Sequence, residues 1–214
     1  MEGKILFKRI HLRNDPKHSF VNYKEECTSL FGEIIVVVIT ISGPHGAGKS
    51  TYAKAIAKEL SLRYVSSGQQ FRRLAKEEGL SLEDFSNVCE QDEDIDRKID
   101  QLTIKEAKKG NVILEGQLAA WMTRDFSDFN IYVTATFETR VNRIAERDDK
   151  DYAEARQETT SRKKSEVQRF KELYNIDIEN LDIYDMILST ERLSREVCIN
   201  ILVAACKEIK ENSK

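Results

Sequence analysis

The sequence predicts a doubly wound α/β fold, a parallel sheet covered by helices on both faces. Ile34 to Ile41 (Ile-Ile-Val-Val-Val-Ile-Thr-Ile) is a continuous β-branched run, as in a central parallel strand buried on both sides. From there, short apolar runs alternate with helical periodicity, the order that builds a parallel sheet. Between the first strand and the first helix lies Gly43-Pro44-His45-Gly46-Ala47-Gly48-Lys49-Ser50-Thr51, which matches G-x-x-x-x-G-K-[ST], the phosphate-binding P-loop. Main-chain N–H groups of such a loop wrap phosphates, and Gly43, Gly46 and Gly48 remove Cβ atoms that would block the approach. Lys49 supplies a positive charge near a transferred phosphoryl group, and the Ser50 hydroxyl can ligand Mg²⁺. The helix that follows points its positive end at the phosphates.

That helix is predicted from Thr51 to Leu60, with Ala53, Ile56, Ala57 and Leu60 inward. The second strand is Arg63 to Ser66. A helix follows from about Gln69 to Glu78, with Phe71, Leu74 and Ala75 apolar and Gly79 ending it. Ser81-Leu-Glu-Asp84 reads as a capping box opening a short helix with Leu82, Phe85 and Val88. Asp92 caps the next helix, where Ile95, Ile99 and Leu102 form one stripe and Gly110 stops the helix. The third strand is Val112 to Glu115 and the fourth about Ile131 to Thr134. Phe137, Val141, Ile144 and Ala145 mark an amphipathic helix, and a long helix runs from Asp151 to about Tyr174. The last strand lies near Met186 to Leu188. The terminal helix starts near Ser194 and turns Val197, Ile201 and Ala204 inward.

Composition narrows the function. The 214 residues suit one domain with a sizeable core. The charged fraction is 33% and the net charge −3, a balance that argues against a general nucleic-acid binder. No apolar run approaches the roughly 20 residues that span a bilayer, and the N-terminus lacks a signal peptide's apolar core. Cys27, Cys89, Cys198 and Cys206 show no C-x-x-C spacing and read as reduced thiols in a cytoplasmic protein. Cys198 and Cys206, eight apart on one helix, read as small packed hydrophobes. Residues 1–34 are polar, mixed in charge and without periodicity; they read as a disordered extension or as sequence before the true start.

Between Arg156 and Glu166 the long helix has no apolar residue, so it is expected to project into solvent as a cation-bearing lid. Arginines, which bind phosphate oxygens in a fork, gather in three places. Arg72 and Arg73 follow the second strand, where an acceptor would sit. Arg140, Arg143 and Arg147 share a flank of the helix after the fourth strand, and Arg162 and Arg169 share a face of the lid. Glu115 and Gly116 end the third strand beside the loop, where a carboxylate can hold Mg²⁺ through water or a substrate hydroxyl.

From Ile35 to about residue 206 the chain resembles the archaeal-type cytidylate kinases, a branch of the P-loop nucleoside monophosphate kinases. The resembling blocks are Thr40-Ile-Ser-Gly-Pro…Gly-Lys-Ser-Thr51, Gly68-Gln-Gln-Phe71-Arg72, Asn111-Val-Ile-Leu-Glu115-Gly116, Arg143-Ile-Ala-Glu-Arg147, Ser165-Glu166…Arg169-Phe170 and Ile183-Tyr-Asp185-Met-Ile187. The resemblance implies a three-layer fold with a five-stranded parallel sheet, a kinase domain at 35–211, an acceptor-binding segment around 66–90 and a lid around 147–165. It implies ATP-dependent, Mg²⁺-assisted phosphorylation of CMP and dCMP by a cytoplasmic monomer without nucleic-acid or membrane partners. Gly68, Phe71, Arg72, Glu115, Gly116, Gln117 and Asp185 would meet the acceptor, with Arg72 on its phosphate and Asp185 near the substrate or the lid hinge. Lys49, Arg143, Arg147, Arg162 and Arg169 would serve the transfer. The family usually reads Glu-Gly-Arg after the third strand; Gln117 stands here, so the grip on the acceptor phosphate is expected to lose a charge. The rival readings are an adenylate-type or other small-molecule kinase, and a P-loop ATPase acting as an assembly factor. The chain has no Asn-Lys-x-Asp guanine motif.

Overall fold

The computed structural model describes residues 36–212. The expectations for residues 1–34, and for Cys27, lie outside the described residues. Five parallel strands form one sheet: β1 (Val38–Ser42), β2 (Arg63–Ser66), β3 (Val112–Glu115), β4 (Phe129–Thr134) and β5 (Met186–Ser189), in the order β2-β3-β1-β4-β5. The helices are α1 (Lys49–Leu60), α2 (Ser67–Glu77), α3 (Leu82–Cys89), α4 (Glu93–Ala107), α5 (Ala119–Met122), α6 (Phe137–Asp148), α7 (Tyr152–Tyr174) and α8 (Arg195–Asn212). Each expected strand and helix is present, and the single-turn α5 is additional. Among the described residues no helix is long and apolar enough to cross a membrane.

β1 is buried along its whole length because it sits between β3 and β4 with helices on both faces. One face packs α1 and α8 through Ile39, Ile41, Ile56, Leu60 and Leu202; the other packs Val38, Val112 and Leu114 against Ala107 and Ala119. A separate cluster of Phe71, Ala75, Phe85, Cys89 and Ile99 ties α2, α3 and α4 together beyond the end of the sheet. The caps follow the sequence: the Ser81 side chain accepts from Asp84 N–H, Asp92 from Asp94 N–H, and Gly79 and Gly110 carry positive φ. Cys89, Cys198 and Cys206 are free and buried.

Three expectations are corrected. The inward stripe of α8 is Cys198, Leu202 and Cys206; Val197 and Ile201 are 43% and 36% exposed, and Ala204 is exposed too. One helical step of 100° separates Val197 and Ile201 from Cys198 and Leu202. On α4, Ile99 is buried but Leu102 is 43% exposed, and the inward face runs instead through Asp96, Asp100 and Thr103. The third correction is α7. It does not project into solvent: Glu158, Thr159, Arg162, Ser165, Glu166 and Arg169 are all buried. A polar helix face can be buried when its charges find partners, and here they do.

Candidate functional site

The sheet register builds the site. In a parallel sheet ligands gather beyond the C-terminal strand ends, where the connections diverge to opposite sides. Ile41 of β1 is paired with Glu115 of β3, and Ser66 of β2 with Glu115 from the other side. The phosphate loop, the start of α2 and the Glu115–Gln117 turn therefore converge. They wall a cleft of about 620 Å³, closed from above by α6 and α7.

The glycines serve the fold as well as the ligand. Gly43 (φ 140°) and Gly46 (φ 79°) have backbone angles that favour glycine, and a Cβ there would overlap the main chain of Val133 and Arg140. The expectation that they only clear room for phosphate is thus incomplete: they let the loop lie against β4 and α6. Arg140 seals this contact by donating to the His45 carbonyl (2.9 Å) and the Ala135 carbonyl (3.2 Å). Gly48 caps α1 without a side chain, and the Gly48 carbonyl accepts from Thr51 and Tyr52 N–H, which leaves the Lys49 and Ser50 N–H groups at the cleft for a ligand. That arrangement fits a polyphosphate.

Lys49 donates to the Gly43 carbonyl (2.7 Å) and the Pro44 carbonyl (3.0 Å), across the mouth of the loop. Burial lowers its ammonium pKa to about 8, against the pull of Glu115 and Glu166. Ser50 donates to one Glu115 oxygen (2.8 Å) and Tyr64 to the other (2.5 Å). Burial works to raise the Glu115 carboxyl, but Lys49 and these hydroxyls win, and its pKa lies below the usual value. A hydroxyl and an ionised carboxylate, both hard oxygen donors at the foot of the loop, fit Mg²⁺.

Most of the expected site residues meet at the cleft. His45, Gly46, Gly48, Lys49, Ser50 and Thr51 line it from the loop, with Gly43, Pro44 and Ala47 behind them. Gly68, Phe71 and Arg72 line it from α2, and Glu115, Gly116 and Gln117 from β3. Arg72 forms no ion pair among the described residues. Partial burial opposes its charge, as do Arg147 and Arg162 nearby, while Glu115 favours it; its pKa is lowered. Arg143 is fixed by two bonds of 2.9 Å to the Thr190 hydroxyl and carbonyl, and Arg147 by Asp148 at 2.6 and 2.7 Å. Arg162 is held loosely, 3.7 Å from Glu158 and 3.9 Å from Glu166, with its Nε unpartnered. Arg169 is the opposite: it meets Asp96 at 2.7 Å and also donates to Ser86 and Ser165.

Two residues differ from expectation. Asp185 does not reach the cleft. It precedes β5, at the opposite end of the sheet, where its carboxylate accepts from Asn130 N–H at 2.7 Å. A parallel strand puts its N-terminal residues at the far edge, so Asp185 anchors β5 to β4. Gln117 is directed at His45 and Glu166, its amide engaged by a group the sequence did not pair with it.

Sequence reasoning missed Asp96, Asp100 and Ile99 on α4, and Tyr64 on β2. Burial pushes the Asp100 carboxyl up to about 7, against the Tyr174 hydroxyl bonded to it at 2.7 Å, with Asp96 adding repulsion. Burial also raises Asp96, although Arg169 resists. The signal was present: Asp96, Asp100 and Thr103 are polar residues at helical spacing beside the Ile95–Ile99 stripe.

Residues 38–192 match the family model described as the cytidylate kinase-like family. The chain is 48% identical over 167 residues to a cytidylate kinase of Staphylothermus marinus, covering 78% of this chain and 94% of that one. It is 41% identical over 178 residues to the cytidylate kinase of Methanocaldococcus jannaschii, covering 82% and 100%. Among solved structures, a gluconokinase from Sinorhizobium meliloti superposes with a TM-score of 0.57 at 10% identity, over 83% of this chain and 95% of that one. A shikimate kinase from Bacteroides thetaiotaomicron gives 0.53 at 14%, over 82% and 99%. The structural likenesses establish the fold alone.

Proposed function

The chain belongs to the cytidylate kinase-like family, and from that premise we propose that it transfers the γ-phosphoryl group of ATP to CMP or dCMP. The observation that carries this reading is the cleft: a phosphate loop and an acceptor wall bearing Arg72 face each other beneath an arginine-bearing helix. A nucleotide switch needs the loop; two anionic substrates need opposed cations. The rival kinase and assembly-factor readings are not favoured, because the relatives matched along the domain carry the cytidylate kinase name.

The loop N–H groups and Lys49 would hold the β- and γ-phosphates, and Ser50 with Glu115 would hold Mg²⁺. Held there, Mg²⁺ would supply positive charge against the charge that develops on the phosphates. Arg72 would hold the acceptor phosphate, while Gly68 and Phe71 with Ile99, Asp96 and Arg169 line the acceptor end. Arg143, Arg147 and Arg162 would surround the phosphoryl in flight. An oxygen of the CMP phosphate forms the new bond to phosphorus as the bond to the ADP oxygen breaks. No base is required, since the second pKa of a phosphate monoester is about 6 and the attacking oxygen is already ionised. The residues position both substrates and stabilise charge. The acceptor segment is residues 66–90 and the lid 147–165, in a kinase domain at 35–211 that follows an extension at 1–34. The enzyme works as a cytoplasmic monomer on small molecules.

A panel of nucleoside monophosphates with Mg-ATP tests the reading. CMP and dCMP are expected to be the preferred acceptors. Turnover of AMP about tenfold or more above CMP, measured as kcat/KM, would overturn the acceptor assignment. Phosphate release independent of any acceptor would favour the ATPase.

A further inference from the structure

The phosphate loop and α7 lie more than a hundred residues apart in sequence, and a contact between His45 and Glu166 joins them. His45 Nε2 stands 2.8 and 2.9 Å from the two carboxylate oxygens of Glu166. The Gln117 amide donates to the same carboxylate and lies 3.0 Å from the His45 ring nitrogen. Position 45 is an open position of the loop motif, so phosphate binding does not dictate a histidine there. The contact is nonetheless well mounted. Arg140 holds the His45 carbonyl from behind, and Gln117 is carried on the turn that ends β3.

The charges are consistent with a fixed joint. Burial disfavours ionised Glu166, but the hydrogen bonds from His45 and Gln117 and the nearby Arg162 charge outweigh it and hold the carboxyl below the usual carboxylate range. Burial lowers the His45 pKa from its usual value despite Glu166, and Arg162 and Lys49 lower it further. Near neutral pH the ring is therefore neutral. Both His45 and Gln117 must donate to the one carboxylate, which requires the Nε2–H tautomer. The result is a pair of charge-assisted hydrogen bonds, the stronger kind. Arg162 lies one turn before Glu166 on the same face, and Arg169 one turn after, so whatever holds Glu166 also sets where both guanidiniums stand.

We propose that His45 and Gln117 dock Glu166, and with it α7, onto the phosphate loop, which makes His45 a positioning residue for Arg162. The His45 side chain then belongs to the lid contact and only its main chain to the nucleotide site. This inference rests on the kinase reading for its catalytic consequence and on geometry alone for the docking.

The test compares His45→Ala, His45→Gln, Gln117→Leu, Glu166→Ala and the double variant His45→Ala/Glu166→Ala. The first measurement is amide hydrogen exchange in the ligand-free protein. His45→Ala is expected to speed exchange across residues 158–170 about tenfold, as loss of one charge-assisted hydrogen bond implies, and to leave α1 unchanged. The second is kinetics with ATP and CMP. His45→Ala is expected to lower kcat about tenfold with KM for ATP held within about twofold, because the contact aligns the lid and leaves the triphosphate its loop. His45→Gln, which keeps a donor, restores most of both. Gln117→Leu falls between the wild type and His45→Ala. The double variant is no worse than the worse single one, since both remove the same contact. Unchanged exchange in α7, additive losses in the double variant, or a raised KM for ATP with kcat retained would each overturn the docking. A wild type that phosphorylated no nucleoside monophosphate would overturn the kinase reading instead, and the exchange result would still decide the docking.

Discussion

Helices α1 and α7 both contribute residues to the same cleft, and each buries one face in the protein, by opposite chemistry. α1 turns Tyr52, Ala53, Ile56, Ala57 and Leu60 inward. α7 turns Glu158, Thr159, Arg162, Ser165, Glu166 and Arg169 inward, with Ala155 and Phe170 as its buried apolar residues. Apolar contacts are non-directional and cannot be traded for contacts with a charged ligand. Guanidinium–carboxylate contacts can be, because a phosphate oxygen satisfies the same fork. One wall is thus a mount, and the other is a set of charges able to take new partners when two polyanions enter.

The contrast can be broken at its sharpest point with Lys49→Ala, the first residue of the mount. It should cut turnover about a thousandfold, through lost stabilisation of transition-state charge, while the melting temperature stays near wild type. Near-wild-type turnover in a folded variant would reduce α1 to scaffold alone. Next, Arg169→Ala leaves Asp96 buried and unpaired, and should cost about 3–5 kcal/mol in chemical denaturation. Ile56→Ala on α1 should cost about 2–5 kcal/mol by opening a cavity. Adding Asp96→Asn to Arg169→Ala separates the two chemistries: neutralising the stranded carboxylate should restore part of the first loss, whereas no change of charge relieves a cavity. If the double variant were no more stable than Arg169→Ala, the distinction between walls would fail.

Arg162→Ala sharpens the picture within α7. Its ion pairs are long and one nitrogen is unpartnered, so its removal should leave the melting temperature within a few degrees and lower kcat about tenfold. A stability loss as large as that of Arg169→Ala would make Arg162 structural. The smallest expected effect is at Asp100. Its folded pKa of about 7 lies above its unfolded value, so the folded state holds the extra proton. Stability therefore falls as pH rises from about 4 to 7 and is flat above. Asp100→Asn, which needs no proton, should raise the melting temperature at pH 8 by a few degrees more than at pH 5. Equal gains at both pH values would show that Asp100 is already ionised in the folded protein.

The strands, the helix caps and the loop were legible because each is written in local periodicity or in a contiguous motif. Val38–Ser42 reads as a central strand from its β-branched run alone, and the loop from its glycines and Lys49. The register that brings Glu115 beside Ser50 was inferred only from strand order, yet the parallel sheet enforces it. The fate of α7 was not legible. A helix with no apolar stripe predicts solvent, because partners for its charges lie on Asp96, His45 and Gln117, distant in sequence. Asp185 was misplaced for another reason: the resemblance put it near the substrate, although its place just before the last strand assigns it to the N-terminal end of a parallel sheet.

By itself, then, the sequence determined the α/β order, the position of the phosphate loop and the pool of arginines. These depend on backbone preferences and on contacts within a few residues. The tertiary structure alone decided which charges neutralise one another, which arginine is locked and which is loosely held, and that His45 faces the lid helix. Those outcomes depend on Coulomb and hydrogen-bond geometry between distant segments, and pairings of that kind leave no periodic trace in the chain.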